Sequence, residues 1–133
     1  MIVSLHVATG AATGAVLRSR VQVLLLGPAL HLAGDRVPHQ DIASRRFEIT
    51  SGLAAVALVA ARRGPLSPAT VGAVAASVPD LEHIYPWLRP RGKKVFHGSR
   101  GWHHSGAFPA GLQLLIAGVM LGFVVGPPRH RPT

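Results

Sequence analysis

The stretch LHLAGDRVPHQD collects two histidines and two aspartates in a chain that has only five acidic residues and eight histidines in all. His31 and Asp35 are four residues apart and would share one face of a helix. Pro38 predicts that this helix ends before His39 and Asp41, which then lie on a loop. Neutral imidazole and carboxylate are the ligands that zinc and similar divalent ions bind in proteins. The stretch therefore predicts a metal site.

Other segments supply further ligands of the same two kinds. A histidine lies within the first apolar segment, a Pro-Asp-Leu-Glu-His element follows the fourth, and a basic segment carries more histidines. Asp80 and His83 share a face if Pro79 begins a helical turn. The candidate metal ligands are His6, His31, Asp35, His39, Asp80, His83, His97 and His104. This set exceeds the four ligands of one tetrahedral zinc, so we expect one to three divalent ions, with zinc as the first choice.

The remaining charged residues near these histidines suggest hydrolytic chemistry. Asp41 and Glu82 are candidates for a general base that takes a proton from metal-activated water, or for groups that orient the ligating imidazoles. Lys93, Lys94 and Arg100 are candidates for binding the negative charge of a substrate. A divalent ion lowers the pKa of bound water toward neutrality, and such water attacks phosphoesters and related esters.

Composition and segment lengths favour an all-α fold. Apolar residues make up 48% of the chain and aromatic residues only 5%, a mixture that suits packed helices better than a β-sandwich. Without cysteine, any metal would be held by histidine and carboxylate. A compact up-down bundle of about five short helices is expected, forming one domain over 1–126 with a basic, proline-containing tail at 127–133. The five apolar segments are 2–17, 21–35, 47–62, 66–77 and 107–125.

An up-down arrangement would bring the polar residues to one end of the bundle. We call the end at which the first helix begins the near end. Alternating directions then place the links around 36–46 and 78–106 at the near end, and those at 18–20 and 62–65 at the far end. Seven of the eight histidines and all five acids fall at the near end, and His130 alone falls at the far end. We therefore expect a polar histidine and aspartate site there.

The charge balance and one long apolar segment suggest a membrane. Fourteen lysines and arginines against five acids give a net charge of +9, which favours an anionic partner such as lipid headgroups or a phosphorylated substrate. Only the segment 107–125 approaches the ~20 apolar residues that span a bilayer. We expect a membrane-associated protein, either integral with a transmembrane helix at 107–125 or seated on the membrane surface. The sequence does not indicate the oligomeric state.

Two motifs, SVPDLEHI and SRGWHHSG, resemble those of the membrane-bound metal-dependent hydrolases of the bacterial inner membrane, which are grouped with the zinc-dependent phospholipase C-like all-α proteins. That family has a helical histidine, a Pro-Asp-x-Asp-His element and a His-Arg-Gly-x-Thr-His-Ser element. The matching residues are His6 for the first, Pro79, Asp80, Glu82 and His83 for the second, and Arg100, Gly101, His104 and Ser105 for the third. Three positions differ from the family pattern: Glu82 stands where the family has aspartate, His103 where it has threonine, and Ser99 where it has histidine. The resemblance implies an inner-membrane location and a metal-dependent hydrolase activity.

Alternatives to the hydrolase hypothesis remain open. The near end could be a non-catalytic surface held together by metal, or each polar residue could have an ordinary role, such as a hydrogen-bonded core position for His6. Nucleic-acid binding through 89–100 is not expected, because this basic run has one aromatic residue and no recognised nucleic-acid module surrounds it. The hydrolase hypothesis predicts that His83→Ala and His104→Ala lose the metal and that His130→Ala keeps it.

Overall fold

The chain is mainly helical in the part that its computed structural model describes, residues 1–97 and 106–127. No β-strand occurs in these two ranges, which confirms the predicted all-α class. The five predicted apolar segments correspond to the five long helices. The helices are α1 (Val3–Leu17), α2 (Arg20–Asp35), α3 (Arg45–Arg63), α4 (Pro68–Ser77), the short α5 (Leu81–Ile84) and α6 (Ala110–Val125).

Serine residues define where three of the helices begin. The side chains of Ser19, Ser44 and Ser67 each accept a hydrogen bond from the backbone N–H three residues later, at the starts of α2, α3 and α4. Each such cap satisfies one of the N–H groups that the first turn leaves unpaired and contributes about 1 kcal/mol. Pro68 follows Ser67 at the first position of α4, where its fixed φ angle suits a helix start.

Helix α1 is the central element and contacts α2, α3, α4 and α6. Its backbone closely approaches that of α4 at Gly10 and Gly72. A Cβ atom on Gly10 would lie 2.1 Å from the carbonyl oxygen of Gly72, and one on Gly72 would lie 2.2 Å from that of Gly10. Neither position tolerates a side chain, so the two glycines allow the helix backbones to touch. Because α1 is enclosed on several sides, its His6 is fully buried.

Close contacts between the helices fix their directions. Gly14 of α1 packs against Pro68, the first residue of α4, whereas Gly10 packs four residues further along α4, so α1 and α4 are antiparallel. Gly27 of α2 packs against Ala75 near the end of α4. The beginning of α1 and the ends of α2 and α4 therefore meet at the near end of the bundle.

Two side chains attach α3 and α6 to the same end. Glu48 in the first turn of α3 accepts a hydrogen bond of 2.8 Å from the backbone N–H of Val3. Gln113 in α6 is fully buried and accepts one of 3.1 Å from the backbone N–H of Ile2. The amide nitrogen of Gln113 donates to the carbonyl oxygen of Gln40 at 2.8 Å, which fixes the loop between α2 and α3.

The predicted transmembrane helix is wrong. In the described ranges no helix is both long enough and apolar enough to cross a membrane, a finding that also contradicts the predicted inner-membrane location. The segment 107–125 forms a helix of only 16 residues, because Pro109 caps it and Ala110 is its first residue. At 1.5 Å per residue this helix is about 24 Å long, short of the ~30 Å hydrocarbon core of a bilayer.

Candidate metal centre

The carboxylate of Asp35, at the end of α2, lies at the centre of the polar cluster. Its Oδ1 atom is 3.0 Å from Nε2 of His6. Its Oδ2 atom is 3.0 Å from Nε2 of His97 and 3.2 Å from Nε2 of His31. Asp35 is only 3% exposed, and His6 and His31 are fully buried. Three imidazole nitrogens from three parts of the chain therefore surround one carboxylate that is almost excluded from solvent.

In two of these rings, His31 and His97, the other nitrogen, Nδ1, donates a hydrogen bond elsewhere. Nδ1 of His31 donates to the carbonyl oxygen of Ala76 at 2.8 Å, and Nδ1 of His97 donates to Oε1 of Glu82 at 2.6 Å. A neutral imidazole has one proton, so in the neutral form of each ring that proton is on Nδ1 and the lone pair of Nε2 points inward. Burial would lower the pKa of His97, but its hydrogen bonds to Asp35 and Glu82 raise that pKa, which favours a second proton on Nε2 of this ring when no metal ion is bound. The two inward Nε2 atoms are 3.1 Å apart.

With both rings neutral, the Oδ2 side of Asp35 has no positive charge beside it, whereas the Met1 nitrogen contacts Oδ1 at 2.6 Å. Two imidazole lone pairs and an ionised carboxylate are all hydrogen-bond acceptors, so they repel one another unless a cation lies between them. The burial of Asp35 would raise the pKa of its carboxyl group, but hydrogen bonds from His31, His6 and His97, each made when Nε2 of that ring carries a proton, outweigh burial and hold that pKa far below its usual range. Asp35 is thus ionised at neutral pH, and the cluster requires either a metal ion or protons on its imidazoles.

The distances in the cluster are those of a ligand set. Two ligand atoms that each lie ~2.1 Å from a tetrahedral zinc ion are about 3.4 Å apart. The Nε2 atoms of His31 and His97 and the Oδ2 atom of Asp35 are separated by 3.0 to 3.2 Å. Small outward shifts would admit an ion. Within the described part of the chain, three groups of residues bring one ligand atom each within 4.8 Å of one another: His6, His31 and Asp80; His31, Asp35 and His97; and Asp80, His83 and His97.

Asp80 provides a second carboxylate beside the first, with its side chain 20% exposed. It lies in the 3₁₀ turn that follows α4, and its Oδ1 atom is 3.6 Å from Nε2 of His31 and 3.9 Å from Nε2 of His97. Burial raises the pKa of Asp80 to about 6, with a further contribution from the charge of Asp35. Its Oδ2 atom is buried without a hydrogen-bond partner among the described atoms, which is unusual for a native carboxylate oxygen.

His6 differs from the other two inward histidines. Its ring stacks on His31 with the centroids 3.7 Å apart, and its Nδ1 atom is buried with no partner in the described part of the chain. Burial lowers the pKa of His6 to about 3, so the ring is neutral and has one proton. With that proton on Nε2, His6 donates to Oδ1 of Asp35 and orients the carboxylate.

Glu82 fixes the segment that carries His97. Its two carboxylate oxygens accept hydrogen bonds from the backbone N–H groups of Val95, Phe96 and His97, at 2.7, 3.1 and 2.7 Å, and from the His97 ring. Burial would raise the pKa of Glu82, but these bonds together lower it to about 2. The carboxylate is ionised and fully occupied, an arrangement that suits a residue which positions His97.

The loop residues predicted from the opening stretch lie beside the centre. Nδ1 of His39 donates to the carbonyl oxygen of Val37 at 2.6 Å, and its Nε2 is 3.1 Å from Oδ1 of the exposed Asp41. The backbone nitrogen of Met1 lies between His39 and Asp35, next to His39 Nε2 and 2.6 Å from Oδ1 of Asp35. His39 is therefore separated from the three ligand groups by this nitrogen.

The remaining predicted site residues are at the surface or beyond the described ranges. Nζ of Lys94 is 3.2 Å from Nδ1 of the exposed His83, and burial together with the charges of His97 and Lys94 lowers the pKa of His83 to about 4. Lys93 is exposed to solvent. Arg100 and His104, for which the sequence predicted substrate and metal binding, lie outside the described residues.

A cavity of about 340 Å³ opens beside the centre. Arg45, the first residue of α3, is the cationic side chain in its wall among the described residues, and the sequence did not single it out as a site residue. Its position directly after the capping Ser44 is the signal that could have placed it at the near end. The wall is formed by Met1, Ile2, Val3, Asp35, Asp41, Ile42, Ala43, Arg45, Glu48, Ile49, Asp80, His83, Ile84 and His97.

Comparison with known proteins finds no relative: no protein-family model, no curated protein and no solved structure matches the chain. The resemblance of its two short motifs to the membrane-bound metal-dependent hydrolases therefore stays a prediction. What the geometry provides is a buried set of imidazole and carboxylate groups that could hold a metal ion, with a cavity beside it.

Proposed function

We propose that the near end binds a divalent metal ion, with zinc as the first choice, and that the protein is a hydrolase of phosphoesters or related esters. One observation carries the proposal. The Nε2 atoms of His31 and His97 face each other at 3.1 Å while both Nδ1 protons are used elsewhere, and Asp35 completes the set of acceptors. We assign His31, Asp35 and His97 as the metal ligands.

The surrounding residues support the ligands in the manner of known metal sites. A ligating histidine usually donates its other N–H to a carbonyl or a carboxylate, which fixes the ring and makes it a better ligand. His31 does so with Ala76, and His97 does so with Glu82. His6 holds the Oδ1 atom of Asp35 and leaves Oδ2 for the metal.

The cavity gives this site room for a reaction. A divalent ion at the centre would activate water and polarise an ester. Asp80 lines the cavity and lies within 4 Å of both ligating imidazoles, so its carboxylate is placed to take a proton from an attacking water and act as the general base. We assign this role to Asp80. The other two candidates for the general base have different surroundings. Asp41 is exposed and paired with His39, and the carboxylate of Glu82 accepts hydrogen bonds from the backbone N–H groups of 95–97.

A purely structural metal site is the second candidate. The proposed ligands come from α2 and from a segment 62 residues further along the chain, so a bound ion would join distant parts of the bundle. Structural sites of this kind contribute directly to folding. The cavity favours the hydrolase, since a purely structural ion needs no adjoining space.

Metal content and ester hydrolysis, measured together, test the proposal. The protein would be stripped with a chelator, reloaded with zinc or manganese, and assayed with p-nitrophenyl phosphate and bis(p-nitrophenyl) phosphate. We expect metal-dependent turnover, loss of both metal and turnover in Asp35→Asn, and retained metal with at least about 100-fold lower turnover in Asp80→Asn. Bound metal without turnover on either ester would favour the structural site, and absence of metal binding would overturn the proposal.

A further inference from the structure

The wall of the cavity beside the metal centre contains both charged and apolar side chains, and we call its isoleucines and alanine together the apolar side. We infer that it binds an anionic ester with a compact apolar substituent, whose negative charge is held by Arg45; this inference rests on the proposed hydrolase function. Arg45 donates through Nη2 to the carbonyl oxygen of His83 at 2.8 Å. This bond connects the start of α3 to α5, and both residues line the cavity.

Arg45 is well suited to bind a phosphoryl group. A guanidinium has five N–H donors in a planar fork, and the bond to His83 uses one. The remaining donors match the spacing of phosphate oxygens, which arginine often binds through two parallel hydrogen bonds. His83 belongs to a group of possible ligands together with Asp80 and His97, so an anion held by Arg45 would lie next to the metal centre.

The apolar side of the cavity selects the rest of the substrate. Isoleucine and alanine side chains from four parts of the chain form this side: Ile2, Ile42, Ala43, Ile49 and Ile84. The volume of about 340 Å³ is at the lower end of the ~300–1,000 Å³ range of small-molecule pockets. A phosphoryl group with a ring or a short alkyl chain fits such a space, and its apolar part gains binding energy by leaving water.

The acids in the wall make anion binding depend on the metal. Asp35, Asp41, Glu48 and Asp80 line the same cavity as Arg45. Without a metal ion these carboxylates repel an anion, even though burial raises the pKa of Glu48 and weakens its share of the charge. A divalent ion at the centre compensates two of these charges. We therefore expect an ordered process, in which the metal binds first and the anion second.

Calorimetric titration with inorganic phosphate and phenyl phosphate tests the inference. The zinc-loaded protein would be compared with Arg45→Gln and with the control Arg46→Gln, which changes the next residue of α3, outside the cavity wall formed by the described residues. We expect Arg45→Gln to weaken phosphate binding at least about 10-fold with unchanged zinc content, and Arg46→Gln to bind as the parent does. Phenyl phosphate should bind at least about 10-fold more tightly than phosphate, and the stripped protein should bind neither.

A substitution on the apolar side tests the selection of the apolar substituent separately from the binding of the negative charge by Arg45. Ala43 is exposed in the cavity wall, so Ala43→Phe would fill the cavity without disturbing the core. We expect it to abolish the preference for phenyl phosphate and leave phosphate binding intact. Equal phosphate affinity in Arg45→Gln and Arg46→Gln, equal affinity of the parent for both ligands, or anion binding by stripped protein would overturn the inference. Failure to bind zinc would instead overturn the proposed function, and this inference with it.

Discussion

Nε2 of His31 lies 3.1 Å from Nε2 of His97, although the two residues are 66 positions apart in the chain. Each ring has its Nδ1 proton bonded to an acceptor, Ala76 for one and Glu82 for the other. Two neutral rings in these tautomers present only lone pairs to each other, and the nearby Oδ2 of Asp35 adds a negative charge. A cation between them resolves the conflict, and a divalent metal does so without protonating either ring.

The first prediction concerns the two facing histidines. His31→Ala and His97→Ala should each weaken zinc binding by about 100-fold or more, since even groups that only orient a ligand cost about 10–100-fold when removed. The matched control is His39→Ala, which removes another buried histidine of the near end that lies outside the three ligand groups. Zinc affinity can be measured by competition with a chromophoric chelator. Loss of zinc from all three variants alike would contradict the assignment.

The second prediction concerns Glu82. Glu82→Ala removes the acceptor of four hydrogen bonds that hold Val95, Phe96 and His97, so His97 loses its fixed tautomer and position. Zinc affinity should fall by about 10–100-fold. Glu82→Gln keeps acceptor oxygen in the same place and should retain part of the affinity. If Glu82 were instead the general base, Glu82→Gln would keep full zinc affinity and lose turnover, which contradicts a positioning role.

The third prediction concerns Asp80 in the metal-free protein. Burial raises the pKa of this acid from 3.8 to about 6, so its protonated form stabilises the fold below about pH 4 and this contribution is lost as the pH rises through 6. Asp80→Asn, which stays neutral, should therefore be more stable than the parent at pH 7.5, by up to about 3 kcal/mol.

Urea unfolding at several pH values, with a chelator present, measures this difference. The stability advantage of Asp80→Asn should disappear near pH 4, where the parent carboxyl is also neutral. Added zinc should reverse the order at pH 7.5, because the parent carboxylate then lies beside a cation. A pH-independent difference between the two proteins would show that Asp80 is not ionised within a buried site.

The fourth prediction concerns the contact between α1 and α4. Gly10→Ala places a Cβ atom 2.1 Å from the carbonyl oxygen of Gly72, so the helices must separate and the near end must shift. The cost should exceed the ~1–3 kcal/mol typical of an overpacked core. Gly118→Ala is the matched control, since a Cβ atom there meets nothing within 4 Å among the described atoms. The free energy of unfolding of Gly118→Ala should rise by about 0.5–1 kcal/mol, because alanine has a higher helix propensity than glycine. Thermal unfolding distinguishes the two, and similar melting temperatures would refute the close contact.

Part of the fold could be predicted because local signals determine it. Apolar runs separated by short links predicted the five long helices. The predicted transmembrane helix was wrong because an apolar run does not reveal where a helix begins. Pro109 caps α6 at its first turn and leaves it too short.

The sequence predicted which residue types gather at the site, but not how their side chains contact one another. Alternating helix directions placed the histidines and acids at one end, and the structure brings His6, His31, Asp35 and His97 into contact there. The role of Glu82 depends on the path of the segment 95–97, which no periodic pattern describes. Arg45 was missed because its place in the cavity wall depends on a bond to the backbone of His83, a contact that the sequence does not encode locally.

The most direct test of the metal site is a crystal structure of the zinc-loaded protein, with anomalous diffraction data collected on both sides of the zinc absorption edge. We predict one anomalous peak between His31 and His97, ~2.0–2.1 Å from both Nε2 atoms and ~2.0–2.2 Å from an Asp35 oxygen. An anomalous peak elsewhere, or none while the two imidazoles share a proton across the same 3.1 Å, would contradict the account.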